Sequence, residues 1–382
     1  MSEFNGSIAQ VNVQFPIETV IEPVAGENYT RAMIFIPLAD APDYLEDTVQ
    51  AGQKIELESS NYSALTKGLL KTWLVPYFSA ATAAKLAVCV YDEDTTEEVE
   101  GETVTVPATA PISAVYEGYK YYAYFKFGLA DSDRYTALQG TLAQLCKADP
   151  LYSQLWVGTS DSSVLEGTSG IISTLTGVDA DARVVYNPDN TINAALAQLG
   201  ASLAAANATG TPVGNDIDML AFNTIKASGG LDADGNRINL TTTQKSALDA
   251  QKIGYNTWVG DGTENVVTEG SLTLKGNAVG AQWVKSYIEY VCKIKTANFI
   301  TRRNKFRNNE QYQAILLLMS NVIKPFVDFG RLAGFAITAP VFAKLAPSAD
   351  AIVVPNAWEA TYVDKIRTVT VYGTLYITQP SK

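Results

Sequence analysis

Alternation of apolar and polar positions is strictest at the end of the chain. In Val369–Thr378, Val369, Val371, Leu375 and Ile377 share one face, with Gly373 as a gap. Thr370, Tyr372, Thr374, Tyr376 and Thr378 share the other. Period two in β-branched and aromatic residues predicts a strand. The opposite end repeats the pattern: Ala9, Val11, Val13 and Phe15 alternate with Gln10, Asn12 and Gln14, and Pro16 stops the run. Ordering about ten residues costs roughly 10–20 kcal/mol of backbone entropy. Hydrogen bonds return ~1 kcal/mol each, and buried apolar side chains roughly 1.5–3 each. The sum is near zero, so each arm needs a sheet to receive it. That sheet belongs either to the same molecule or to a neighbouring copy, because a bare strand edge invites another chain.

Between the arms, apolar runs at Ala32–Ile36, Leu86–Tyr91, Leu155–Gly158, Val184–Tyr186, Met219–Phe222 and Gly254–Val259 read as short strands. So do Phe335–Ala339 and Ala351–Val354, with Ile17–Ile21 as a further short strand. The aromatic run Tyr119–Phe127 reads as a buried central strand; stacking of bases on Tyr119, Tyr121, Phe125 and Phe127 is the other reading of those rings. Helical spacing predicts Tyr62–Phe78, with Leu65, Leu69, Trp73 and Phe78 on one face, then Asp131–Lys147, Asn193–Asn207 and Thr242–Gln251. Val279–Ile300 is a long helix with Val284, Ile288, Val291 and Ile294 as its apolar stripe and Lys285, Glu289 and Lys293 opposite. Asn308, with Gln311 three residues on, reads as a capping box for the next helix. Its seam is Ile315, Met319, Val322, Phe326 and Phe329; Pro325 bends it, and Gly330 and Gly334 end it. Ala39–Ser60 reads as loop and Val104–Val115 as an exposed excursion. Strands alternating with helices argue a mixed α/β, multi-domain chain. The predicted divisions are an arm at 1–20, a first part of the core at 21–91, an acidic and proline-rich excursion at 92–118, a middle α/β domain at 119–230, a C-terminal core at 231–364 and an arm at 365–382.

The chain has 382 residues, 47% of them apolar and 18% charged, enough for a sizeable core. A net charge of −12 argues against a general nucleic-acid binder. There is no histidine, which removes Ser-His-Asp and Cys-His catalysis and the commonest metal ligand. Cys89, Cys146 and Cys292 fit no zinc spacing and read as buried thiols. No secretory leader pattern opens the chain and no apolar run is long enough to span a bilayer, so a reducing, soluble compartment is expected. Matches to the glycosylation triplet, such as Asn61-Tyr62-Ser63, are then chance.

Candidate chemistry is sparse. Phosphate-loop, dinucleotide and nucleophile-elbow patterns are absent. The acidic run Asp92–Glu102 lacks the spacing of a cation loop and reads as a solvated loop or hairpin tip. Asp232-Ala-Asp234-Gly-Asn236 opens like a calcium loop, but Arg237 and Thr243 stand where a glycine and a glutamate are needed, so an Asx turn is expected. No cofactor or metal is called for. One concentration of positive charge stands out: Lys293, Lys295, Arg302, Arg303, Lys305 and Arg307, with no acid among them. It reads either as a solvated face or as a docking surface for an acidic protein or phosphate.

Several stretches in succession are similar to the sheath protein of contractile phage tails. An arm strand (Ile8–Phe15) leads into a first core strand. Ala182-Arg183-Val-Val-Tyr186-Asn is followed by an alanine-rich helix. Leu248-Asp-Ala-Gln-Lys252-Ile-Gly254-Tyr255-Asn256-Thr-Trp258 resembles the family's lysine, glycine-rich turn and Asn-Tyr entry to a strand. Glu269-Gly270, Gly276 and Gly280 precede Trp283, which opens the long helix; a second helix, Gly334 and a final β stretch complete the order. The likeness covers most of 180–382 and, more weakly, 1–90, while 92–178 match nothing in the family. The chain is short for it, so outer decorating domains are expected to be missing or reduced.

The resemblance implies a non-enzymatic structural subunit of a phage tail. Its copies form hexameric rings stacked helically around an inner tail tube protein, with baseplate and tail terminator at the ends. It is assembled in the host cytoplasm, resides in the virion tail, and contracts to drive the tube through the host envelope. It implies no direct contact with nucleic acid and no membrane insertion. Strand exchange falls on Val11, Val13, Phe15, Val369, Val371, Leu375 and Ile377. A tube-facing basic patch falls on Lys285, Lys293, Lys295, Arg302 and Arg303. The alternatives are the sheath of a phage-derived injection particle and, from another class, a monomeric α/β enzyme or carbohydrate-binding module.

Overall fold

A computed structural model describes residues 32–41, 49–65, 69–82, 84–99, 102–117, 123–126, 133–148, 154–179, 181–189, 191–209, 213–214, 221–222, 228–230, 238–258, 266–270, 272–302, 309–341 and 357–363. The apolar runs converge on one six-stranded sheet. Its strands are β1 (Ala32–Pro37), β2 (Lys54–Leu57), β3 (Leu86–Tyr91), β6 (Ala123–Lys126), β7 (Gln154–Thr159) and β8 (Ala182–Tyr186), in the order β2-β3-β1-β6-β7-β8. All neighbours pair parallel except β2, which runs antiparallel to β3 at the edge. Parallel sheets bury both faces, which is why Ala32–Ile36 and Leu86–Tyr91 are continuously apolar rather than alternating. The sheet joins the segments 21–91 and 119–230 in a single layer, with the hairpin of β4 (Thr95–Val99) and β5 (Glu102–Val106) inserted between them.

Helices cover both faces. On one side α1 (Leu70–Ala80), α5 (Ala194–Thr209), α7 (Val279–Arg302) and α8 (Asn309–Asp328) form a core with Ile34, Val88, Phe125 and Trp156. On the other, α2 (Ile112–Val115), α3 (Asp133–Ala148), α4 (Gly170–Val178) and α6 (Thr242–Ala250) pack on Phe35, Tyr91, Val157 and Val184. Gly200 lets α5 approach α1 closely: a Cβ there would stand 2.8 Å from the Tyr77 Cα. Indoles tie the C-terminal helices to the sheet, with Trp156 of β7 stacked on Trp283 of α7 at 5.7 Å. Thr241 and Gln244 close a reciprocal capping box at the start of α6. Two smaller sheets complete the described residues. One pairs β9 (Ala221–Phe222), β10 (Tyr255–Trp258) and β11 (Val266–Glu269); the other pairs β12 (Leu332–Ile337) with β13 (Trp358–Tyr362).

Several expectations are corrected. The helix expected over Tyr62–Phe78 begins only at Leu70, after a 3-10 turn at Tyr62–Ala64, and Leu69 is exposed. The stretch Ala39–Ser60 contains β2, whose Lys-Ile-Glu-Leu alternation turns Ile55 and Leu57 inward. Val104–Val115 runs from the end of strand β5 through an irregular stretch into helix α2, where Ile112 is buried, and is not one exposed excursion. Phe329 lies beyond α8 and is exposed, and Gly334 sits inside β12; Gly330, in the left-handed region at φ 69°, makes the turn. Glu289, expected on the outer side of α7, is fully buried. Sequence patterning also missed α4, β11 and β13. The alternation Trp358-Glu-Ala-Thr-Tyr362 was the available signal for β13. The residues expected to form strands at Ile17–Ile21 and Ala351–Val354, the Asp232 turn and the Asn308 cap lie outside the described residues.

Candidate functional site

The motifs quoted along residues 180–260 meet in one buried polar network. Arg183 on β8 donates from Nη1 to the Leu272 carbonyl at 3.0 Å and from Nη2 to Gln198 Oε1 of α5 at 3.0 Å. Gln198 Nε2 donates to Asn256 Oδ1 of β10 at 3.0 Å. The Asn256 amide donates to Ser228 Oγ at 2.9 Å, and that hydroxyl donates to the Tyr186 carbonyl at 2.8 Å. Gly254 leaves room for the guanidinium, since a Cβ there would stand 2.0 Å from Nη2. Lys252 holds a left-handed φ of 61° and its Nζ donates to the Leu274 carbonyl at 3.2 Å. Arg183, Gly254 and Asn256 therefore knit the six-stranded sheet, α5 and the three-stranded sheet together. Hydrogen-bonded neutral partners make the buried guanidinium tolerable.

The second feature is the end of the described chain. β12 and β13 form an antiparallel pair from Leu332↔Tyr362 to Ile337↔Trp358, irregular between Leu332 and Gly334. One face, with Phe335, Ile337, Trp358, Ala360 and Tyr362, packs partly against the core helices. Ala333, Ala336, Glu359 and Thr361 are exposed. Arg331 anchors the base, donating from Nη2 to the Gly214 carbonyl at 3.1 Å and lying near the Tyr362 ring. Among the described residues no further strand pairs with either member. Two strands alone are marginal in water, and packing of one face on the core helices supports this pair.

α7 carries the third feature. Val284, Ile288 and Val291 are buried as expected, and so are Ser286, Glu289, Cys292 and Thr296. Glu289 lies on the polar side of this helix with Lys285 and Lys293, so its enclosure left no signal in the sequence. Neither Glu289 carboxylate oxygen has a hydrogen-bond partner among the described residues. Burial pushes this carboxyl up to about 7, with Lys285 pulling the other way. Of the basic patch, Lys285 and Lys295 are exposed. Lys293 and Arg302 lie in the helix but their side chains are outside the described residues, as is all of Arg303. The strand-exchange residues Val11, Val13, Phe15, Val369, Val371, Leu375 and Ile377 are likewise outside them.

At the carboxyl ends of the parallel strands the order switches between β1 and β6, the place where open α/β sheets hold ligands. Lys126 ends β6 there, buried, with Nζ 5.9 Å from the Tyr91 ring centre. Burial lowers its ammonium to about 8, against the pull of Asp40. Phe35 and Tyr116 stack at 6.2 Å on the same face. Cys89, Cys146 and Cys292 are all buried, and burial raises the Cys89 thiol to about 11 and Cys292 to about 12. Among the described residues there is no cluster of three metal-ligating side chains, and no helix is long and apolar enough to cross a membrane.

No model of a protein family matches the chain, and no curated protein does. Eleven solved chains are similar to it. One is a sheath tail protein from Desulfitobacterium hafniense, 12% identical, covering 85% of this chain and 91% of its own, at a TM-score of 0.47. An overlap that loose transfers neither fold detail nor function.

Proposed function

We propose that the chain is a structural subunit of a contractile tail sheath, a virion-tail protein assembled in the host cytoplasm. In this reading, copies stack as hexameric rings around an inner tube protein, between baseplate and terminator. Contraction of that lattice drives the tube through the host envelope. The observation that carries it is the β12–β13 pair, open at both edges among the described residues and followed in sequence by the alternating stretch Val369–Thr378. A pair whose edges take no further strand among the described residues and a segment that needs a receiving sheet are complementary. Strand addition between copies, through Val11, Val13 and Phe15 at one end and Val369, Val371, Leu375 and Ile377 at the other, supplies both. The sequence resemblance adds the tube, to be met by Lys285, Lys293, Lys295, Arg302 and Arg303. No nucleotide, metal or catalytic residue has a part in this mechanism: each subunit is a tile whose missing strand is another tile's arm.

Electron microscopy of the purified chain tests it, with helical polymers expected. Deleting 1–16 or 365–382 should abolish them and leave a folded, soluble monomer. If either deletion unfolds the core, that arm belongs to the molecule's own sheet. A monomeric α/β enzyme or carbohydrate-binding module is the second reading, favoured only by Lys126 at the sheet's switch point. It requires a ligand that raises the melting temperature of wild type but not of Lys126→Met.

A further inference from the structure

Glu289 has no part in the assembly proposed above, yet its setting is unusual for a carboxylate. Its side chain is fully buried in the middle of α7, and neither carboxylate oxygen has a hydrogen-bond partner. A charge enclosed in that way costs far more than a neutral carboxyl, so enclosure and ionisation oppose each other. Nearby groups offer little relief. Lys285, Glu289, Cys292 and Thr296 follow at i, i+4, i+7 and i+11, which places them along one stripe of the helix. Cys292 and Thr296 are buried too, and the Thr296 hydroxyl also lacks a partner. Ser286, on the adjoining turn, accepts from Gln282 Nε2 at 3.5 Å. Lys285, at the near end of the stripe, is exposed.

Burial raises the carboxyl to about 7, and Lys285 is the charge that pulls the other way. Burial also raises the Cys292 thiol, to about 12, against the pull of Lys295, so it stays neutral beside Glu289. Tyr287 of the same helix and Tyr312 of α8 are likewise raised by burial and neutral. Among the described residues, no charge of α8 (Glu310, Lys324, Asp328) or of the facing sheet (Arg183) acts on Glu289. The proton is therefore held more tightly inside than in water. Outside, Lys285 stands one turn back, at the spacing of a helical ion pair. The side chain has a neutral place inside the molecule and a charged place on its surface, and pH chooses between them.

We propose that Glu289 is a proton-operated latch on α7: neutral, it stays enclosed; charged, it turns outward to Lys285, and the middle of the helix loosens from the core. The latch acts within one subunit and does not rest on the assembly reading. α7 continues through Lys295 to Arg302, so the latch sets how firmly the start of the basic run is held. Because the enclosed state binds the proton more tightly, opening becomes easier as pH rises from the ordinary carboxylate range to about 7, and no easier beyond. Two measurements on the full chain test it: carboxyl NMR of carbon-13 glutamate, and hydrogen exchange of α7 amides divided by the intrinsic rate. Expected is one carboxyl titrating near 7 that is missing in Glu289→Gln. Opening around Glu289 should rise about tenfold per pH unit from about pH 5 to 7 and then level off, and Glu289→Gln should abolish that slope. Lys285→Met, at an exposed site, should move the titration upward and cut opening at about pH 6 by about twofold. Every glutamate titrating in the ordinary range overturns the proposal. So does an equal slope in wild type and Glu289→Gln, since a merely structural glutamate leaves no proton-linked step in exchange. Should Glu289→Gln fail to fold, Lys285→Met decides: an unmoved titration or unmoved opening there overturns the latch.

Discussion

The six-stranded sheet and the two two-stranded sheets solve the same backbone problem in opposite ways. In the large sheet, interior strands have partners on both sides and helices on both faces, so β1 is buried from Ala32 to Ile36. Its short edge strand β2 carries Lys54 and Glu56 outward, a charged rim that discourages addition. The β12–β13 pair covers one face only partly and leaves both edges open among the described residues, and the β4–β5 ribbon covers neither face. One region is complete within the molecule. The other two leave edges or faces uncovered among the described residues.

The largest expected effect separates these regions by stability. Trp283→Ala removes the indole stacked on Trp156 in the fully buried core, and should cost about 3–5 kcal/mol in urea unfolding of the monomer. A loss under about 1 kcal/mol would show that α7 is not part of the same cooperative body. Next comes Glu289. Its folded-state value is raised, so the folded state binds the proton more tightly than the unfolded one. Its contribution is therefore fully favourable below the ordinary carboxylate range and is lost as pH rises toward about 7. Glu289→Gln should stabilise the protein by about 2–3 kcal/mol at pH 8 and change little near pH 4, measured by urea midpoints at both. Equal midpoint shifts at the two pH values would place a charged partner beside Glu289. Smallest is the ribbon: Val104→Ser should move monomer stability by no more than about 0.5 kcal/mol, because the side chain is already exposed. A large loss of monomer stability would mean that the valine face is covered within the molecule.

The apolar runs that became β1, β3, β7 and β8 and the long periodic helices α5, α7 and α8 were legible along the chain, because periodicity and burial are local consequences of side-chain order. So was the lack of histidine, a fact of the sequence itself. Which strand lies beside which was not legible. Nothing in a run such as Leu86–Tyr91 says that it flanks β1 on the side opposite β6, because parallel pairing joins residues far apart in sequence and depends on how crossover helices pack. Tertiary packing alone enclosed Glu289, brought Arg183, Gln198 and Asn256 into one network across distant segments, and left the β4–β5 ribbon standing clear. Burial of a charged side chain is decided by the elements around its helix, and exposure of an apolar strand by the elements missing beside it.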